Sequence, residues 1–193
     1  MNQVDTIFVF TDAATSPQAG VSVGIFLCLE KRDIDIFKEL SIKQLSNELA
    51  DKVSYKKYKS NKSTWSEIKT IIHALHSIQI KFEQSIQRIE IYTDCQTICD
   101  LLGWRKEKLE KNNFLTKSGC MLQHAALYKE LYFLTNKFQV QTFKIKGHQS
   151  KSQLMTWQEK IFYVVDKLSR KKMRSNDRIF LTSQSHKIST GQA

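Results

Sequence analysis

Proline is nearly absent from this 193-residue chain, at one residue, and glycine is sparse at six. Long flexible linkers draw on both, so their scarcity argues for one continuous folded unit, long enough to bury a core without staples. No internal repeat divides it. Cys28, Cys95, Cys99 and Cys120 form neither a CxxC pair nor a zinc spacing, so all four read as thiols in a reducing, cytoplasmic setting. Long apolar runs are missing too. The longest near the start, Ile7 to Phe10, is too short for a membrane span or a signal core, and no basic residue precedes it.

Positive charge is missing only locally. Residues 1–30 hold no Lys or Arg but three acids, Asp5, Asp12 and Glu30, so the rest of the chain sets 30 bases against 16 acids, about +14. A field of that sign favours polyanions, of which nucleic acid is the commonest in a cell.

The chain opens as a meander. Ile7–Phe10 reads as a buried strand bounded by Asp12 and a turn-like stretch to Gly20; Val21–Leu29 pairs back on it; Ile34 and Ile36, alternating with acids, predict a third strand. Ser41–Ala50 is weakly helical. Residues 52–62 then carry five lysines and two tyrosines and read as a basic loop. Trp65, Ile68, Ile71, Ile72, Leu75 and Ile78 predict a helix over 64–80, with Ser63 or Thr64 as its cap. Arg88–Thr93 reads as a strand, followed by a short helix to Leu102, a basic connector over 104–111, a helix over 119–137, a strand over 140–145, a polar loop over 146–153 and a helix over 157–174. Antiparallel strands followed by strand–helix alternation imply an α/β fold, a mixed sheet flanked by α-helices. Residues 1–175 form the expected domain and 176–193 a polar C-terminal tail in which Ile179–Leu181 packs locally.

Four acids stand out against this frame. Asp12 and Asp94 each follow a strand, and ligands of open α/β sheets bind at the carboxyl ends of strands. Glu67, with Ile71 and Ala74 above it, borders the buried stripe of its helix, as Asp166 does between Val165 and Leu168. Each acid alone has an ordinary explanation as a turn or first-turn residue. Together, beside apolar faces, they require a compensating cation, and hard carboxylate oxygens suit Mg²⁺ or Mn²⁺. Two such ions stabilise the attacking and leaving oxygens of a phosphodiester.

Phe10-Thr-Asp12, Ser63-Thr-Trp-Ser-Glu67 running on to His73-Ala-Leu75, Ile91-Tyr-Thr-Asp-Cys-Gln96, Lys146-Gly-His148 and Val165-Asp-Lys-Leu-Ser-Arg170 together resemble the ribonuclease H type 1 family over residues 6–174. The resemblance implies an RNase H-like five-stranded sheet, three antiparallel strands and then parallel ones. It implies two metal ions held by Asp12, Glu67, Asp94 and Asp166. It further implies cutting of the RNA strand of an RNA–DNA hybrid, leaving 5′-phosphate and 3′-hydroxyl ends. His148 matches the family's mobile-loop histidine, which assists proton transfer or product release. Gln96 matches a minor-groove contact, and Ser63 and Thr64 fall where backbone-touching asparagines are common. The chain departs from the family in its reduced glycine-rich turn and in Phe162, where an asparagine is usual.

Lys56, Lys57, Lys59 and Lys62 are candidates for phosphate contacts, as are Trp104 and Arg105 in an abbreviated version of the family's basic protrusion. A proofreading-type exonuclease needs an acid at position 14, which is Ala14, and a transposase core needs DNA-binding regions for which the chain has little room. The remaining alternative is a non-catalytic RNase H-like nucleic-acid-binding module. The protein is expected to act as a monomer, without a membrane.

Overall fold

The computed structural model describes residues 6–82 and 86–189, the side chains of 176–189 excepted. Five strands form one sheet: β1 (Thr6–Ser16), β2 (Val21–Glu30), β3 (Ser54–Tyr58), β4 (Arg88–Thr93) and β5 (Gln139–Lys144). Their order is β3-β2-β1-β4-β5. β1, β2 and β3 pair antiparallel, whereas β4 and β5 join β1 in parallel. This is the mixed sheet the sequence predicts.

Alternation along β1 builds two cores. Ile7 and Val9 face α3 (Ser63–Phe82), α4 (Gln96–Leu102) and α6 (Ala125–Thr135), burying Ile68, Ile71, Ile72, Leu75, Leu101 and Leu131. Phe8 and Phe10 face the other way, onto α1 (Lys31–Phe37), α2 (Ile42–Ala50) and α7 (Trp157–Ser189), against Ile34, Leu45, Leu49, Phe162 and Val165. Gly24 on β2 lets α3 lie close, since a Cβ there would stand 1.8 Å from Thr70 Oγ1. No helix among the described residues is long and apolar enough to cross a membrane.

Several sequence expectations are corrected. Residues 31–37 are helix, not a third strand: Ile34 and Phe37 are buried one turn apart, Ile36 is 61% exposed, and Glu30 and Asp33 form a reciprocal cap. The third strand is β3, inside the lysine-rich segment read as a loop. It lies at the sheet edge, where lysines suppress edge-to-edge pairing, and Tyr58 is its one buried residue. Ser63 and Thr64 lie within the first turn of α3 rather than before it. The basic connector contains α5 (Arg105–Lys111). α6 starts at Ala125 rather than 119, because Gly119 takes a left-handed φ of 79° and Leu115 bridges Met121. α7 continues to Ser189, through much of the predicted tail, with no proline or glycine from Trp157 to Ser189 to stop it. The expected packing of Ile179–Leu181 lies outside the described side chains.

Candidate active site

β1 pairs with β4 only as far as Phe10↔Tyr92, while its pairing with β2 continues to Ser16. Asp12 therefore sits just past the point where the parallel ladder stops, and Asp94 directly follows the last residue of β4. Their carboxylates meet in the opening where β1 and β4 cease to pair. Glu67 enters just past the first turn of α3, where Ser66 bonds Ser22 at 2.6 Å and seats the helix start on β2. Asp12, Glu67 and Asp94 each offer an oxygen, and these three lie within 4.8 Å of one another.

The electrostatics are those of acids crowded together and buried. Burial, opposed by a hydrogen bond from Ser169 and reinforced by Asp94 and Asp166, pushes Asp12 up to about 7. Burial and the charges of Asp12 and Asp94 hold Glu67 well above the carboxylate range. Asp94 is raised mainly by burial, with His148 opposing. Glu67 Oε1 accepts the Ala13 N–H at 3.1 Å, but Oε2 is buried without a partner. A buried carboxyl oxygen without a partner, beside two further acids, fits a hard divalent cation.

Asp166 stands apart from this trio. It is 3% exposed and gripped by Arg170, with Nε on Oδ1 at 2.9 Å and Nη2 on Oδ2 at 2.5 Å. The same Nη2 touches His148 Nδ1, which lies 3.7 Å from Asp166 Oδ1. His148 itself has a left-handed φ of 56° at the tip of its loop. Gly147 passes so near Asp94 that a Cβ would come within 2.1 Å of Oδ2. Ser169, fully buried, donates to Asp12 Oδ2. The sequence motif contained Ser169 and Arg170 without a role for either. Their places three and four residues beyond Asp166, on one helix face, were the available signal.

The candidate substrate residues lie outside this cluster. Gln96 is exposed and bonds Asp100 at 2.9 Å. Ser63, Thr64, Lys56, Lys57, Lys59 and Lys62 are exposed around β3 and the start of α3. Trp104 is 68% exposed, and Arg105 beside it is half-buried. Trp65 packs edge-on against Tyr58 at 5.6 Å, so it serves the core margin.

Comparison with known proteins agrees with this geometry. The RNase H family model matches residues 5–159, ending before Asp166. Two proteins named Ribonuclease H, from Thermoanaerobacter sp. (strain X514) and Thermoanaerobacter pseudethanolicus, are 24% identical over 152 residues, covering 76% of this chain and 81% of theirs. Among solved structures, a type 1 RNase H with the type 2 active-site motif superposes with a TM-score of 0.59 at 14% identity, over 86% of this chain and 69% of that one. The foamy viral protease-reverse transcriptase in complex with dsDNA gives 0.56 at 13% identity, over 88% and 93%. The solution structure of the PFV RNase H domain gives 0.55 at 12%, over 87% and 93%. In sequence, sheet topology and the convergence of its strand-end acids, the chain belongs to the RNase H family.

Proposed function

We propose that the protein hydrolyses the RNA strand of RNA–DNA hybrids endonucleolytically, with residues 1–175 as the catalytic unit. The observation that carries this reading is the trio of Asp12, Glu67 and Asp94 with its unpartnered Glu67 oxygen. Those three residues would hold a first Mg²⁺ or Mn²⁺ ion, and Asp166 would join Asp12 in holding a second. Bound there, the ions supply the charge that stabilises the attacking and leaving oxygens.

The chain's own residues do the rest. Water attacks the phosphorus and the P–O3′ bond breaks, so the 5′-phosphate and the 3′-hydroxyl end on opposite fragments. His148, on a glycine-preceded loop over the site, takes up or delivers a proton at Nδ1 once Arg170 releases that atom. Gln96, Ser63 and Thr64 touch the hybrid near the cut. The 2′-hydroxyl in its minor groove distinguishes the RNA strand. Lys56, Lys57, Lys59, Lys62, Trp104 and Arg105 hold the backbone farther out. Free thiols at all four cysteines support a reducing, cytoplasmic setting.

The test is cleavage of a labelled hybrid, with single-stranded RNA, double-stranded RNA and double-stranded DNA as controls, by wild type and Asp94→Asn, with Mg²⁺, Mn²⁺ or chelator. Metal-dependent cutting of the hybrid's RNA strand alone, lost in the variant, is expected. Binding without cutting under either metal would instead make the chain a non-catalytic hybrid-binding module.

A further inference from the structure

Past Asp166, α7 becomes strongly basic on one side. Lys167, Arg170, Lys171 and Arg174 recur at i, i+3, i+4 and i+7, which is a single helix face. With Ser175 they line an open concavity of about 460 Å³. Like charges three and four residues apart repel along a helix, and this face holds two pairs at each spacing.

Among the described side chains, α7 supplies little to relieve that repulsion. From Trp157 to Ser175 the acids of α7 are Glu159 and Asp166. Glu159 caps its own helix, accepting the N–H groups of Met155 and Thr156 at 2.8 and 2.9 Å. Asp166 is taken by Arg170. Among the described residues, Lys167, Lys171 and Arg174 have no ion-pair partner. The Lys167 ammonium lies 5.2 Å from the centre of the Tyr163 ring. A concave face on which three of four cations lack an ion-pair partner among the described residues is a site for a polyanion.

Two further contacts say where that polyanion would run. At one end Arg170 touches both Asp166 and His148, so the face begins at the carboxylate site. On a different side of α7, the Lys172 ammonium lies 4.5 Å from the centre of the Tyr55 ring and joins the helix to the sheet edge. Register puts Tyr55 and Lys57 opposite Ile25 and Val23, whose side chains belong to the α7-side core. Lys57 thus lies on the α7 side of the sheet. From Asp166 to Arg174 the helix rises about 12 Å at 1.5 Å per residue. That matches about three or four base-pair steps along a duplex axis at roughly 3.4 Å each.

We infer that this face of α7 is a sequence-independent subsite for the phosphodiester backbone of nucleic acid extending from the carboxylate site. The inference rests on the proposed hydrolase reading for its direction, but not for the binding itself. The variant Lys167→Gln/Lys171→Gln/Arg174→Gln tests it, leaving Arg170 in place. The charge-matched control is Lys31→Gln/Lys38→Gln/Lys81→Gln, lysines that neighbour Glu30 and Asp35 near the opposite end of β1.

Binding of a fluorescent hybrid is measured in chelator at several salt concentrations. Each lost phosphate contact lowers the slope of log K against log salt by about 0.9, so the α7 triple should lose about two to three and the control almost nothing. In cleavage assays KM should rise with kcat unchanged. Matching circular dichroism and Tm establish that the variants are folded. Equal slopes for wild type and the α7 triple, or equal losses in both triples, overturn the subsite. A wild type that binds with a slope the α7 triple reduces, yet cuts nothing, leaves the subsite standing while the hydrolase reading fails. A wild type that cuts hybrid no differently from the α7 triple gives the reverse. A wild type that does not bind overturns both.

Discussion

Arg170 holds Asp166 from the next turn of the same helix, with two guanidinium nitrogens on one carboxylate, at 2.9 Å from Nε and 2.5 Å from Nη2. The fourth acid is therefore the one already matched with a cation, whereas among the described residues Asp12, Glu67 and Asp94 make no ion pair within 4 Å. A guanidinium in this position neutralises a carboxylate that would otherwise face three others.

Replacing it should expose that role. Arg170→Ala leaves Asp166, 3% exposed, as an uncompensated buried charge, a loss of about 3 kcal/mol. The guanidinium is 30% exposed, which keeps the loss at the low end. Millimolar Mg²⁺ or Mn²⁺ should then raise the Tm of the variant more than that of wild type. Equal gains in thermal scans would mean that the arginine does not stand in for the metal.

Gly147 is required by space rather than by backbone conformation. A Cβ there would lie 2.1 Å from Asp94 Oδ2 and 3.0 Å from its Cγ. Gly147→Ala should swing Asp94 out of the trio and weaken Mn²⁺ binding about tenfold or more, as loss of groups that orient metal ligands does. Calorimetric titration reads this directly. Unchanged affinity would show that Asp94 can yield without leaving the site.

The legible parts of the molecule were those where local pattern and tertiary role coincide. Asp94 follows a strand of plain alternation, Asp12 stands where the apolar run of β1 ends although the strand continues to Ser16, and Glu67 lies near the start of a helix with a clear apolar stripe, so three site residues could be placed from one dimension. Residues 31–37 could not, because Ile34 and Ile36 alternate like a strand while the buried pair is Ile34 and Phe37. β3 was hidden because an edge strand of lysines has one buried side chain to announce it. Ser169 was silent for another reason. Its hydroxyl reaches Asp12 across 157 positions, and no local pattern encodes such a contact.

Glu67→Gln separates stability from metal binding. The carboxylate is buried with Oε2 unpartnered and is held well above its ordinary range by burial and by Asp12 and Asp94. An amide keeps the acceptor for the Ala13 N–H and adds donors facing the neighbouring acids. The metal-free variant should melt above wild type at neutral pH, by a few degrees, while losing the Tm gain that divalent metal gives wild type. A lower Tm without metal would mean that Glu67 is already satisfied in the metal-free protein.

The site should also set the direction of the metal-free protein's pH dependence. Asp12 ionises near 3.8 in an unfolded chain and near 7 in the folded one. Below about pH 4 both states hold the proton and its burial is harmless. As pH rises toward 7 the unfolded chain releases the proton first, so stability falls, and the loss is complete above the folded value. A proton held about a thousandfold more tightly corresponds to at most about 4 kcal/mol. Glu67 and Asp94, also raised, act in the same direction. Glu130 and Glu159, held below their ordinary range, remove stability on the acid side instead. Metal-free Tm should thus fall from pH 5 to pH 8, and Asp12→Asn should flatten the fall. Divalent metal binds the ionised carboxylates, so it should raise Tm strongly at pH 8 and weakly at pH 5. A metal-free Tm that climbs between those two pH values would sink this account, because it would mean that the carboxylates are already ionised at no cost to the fold.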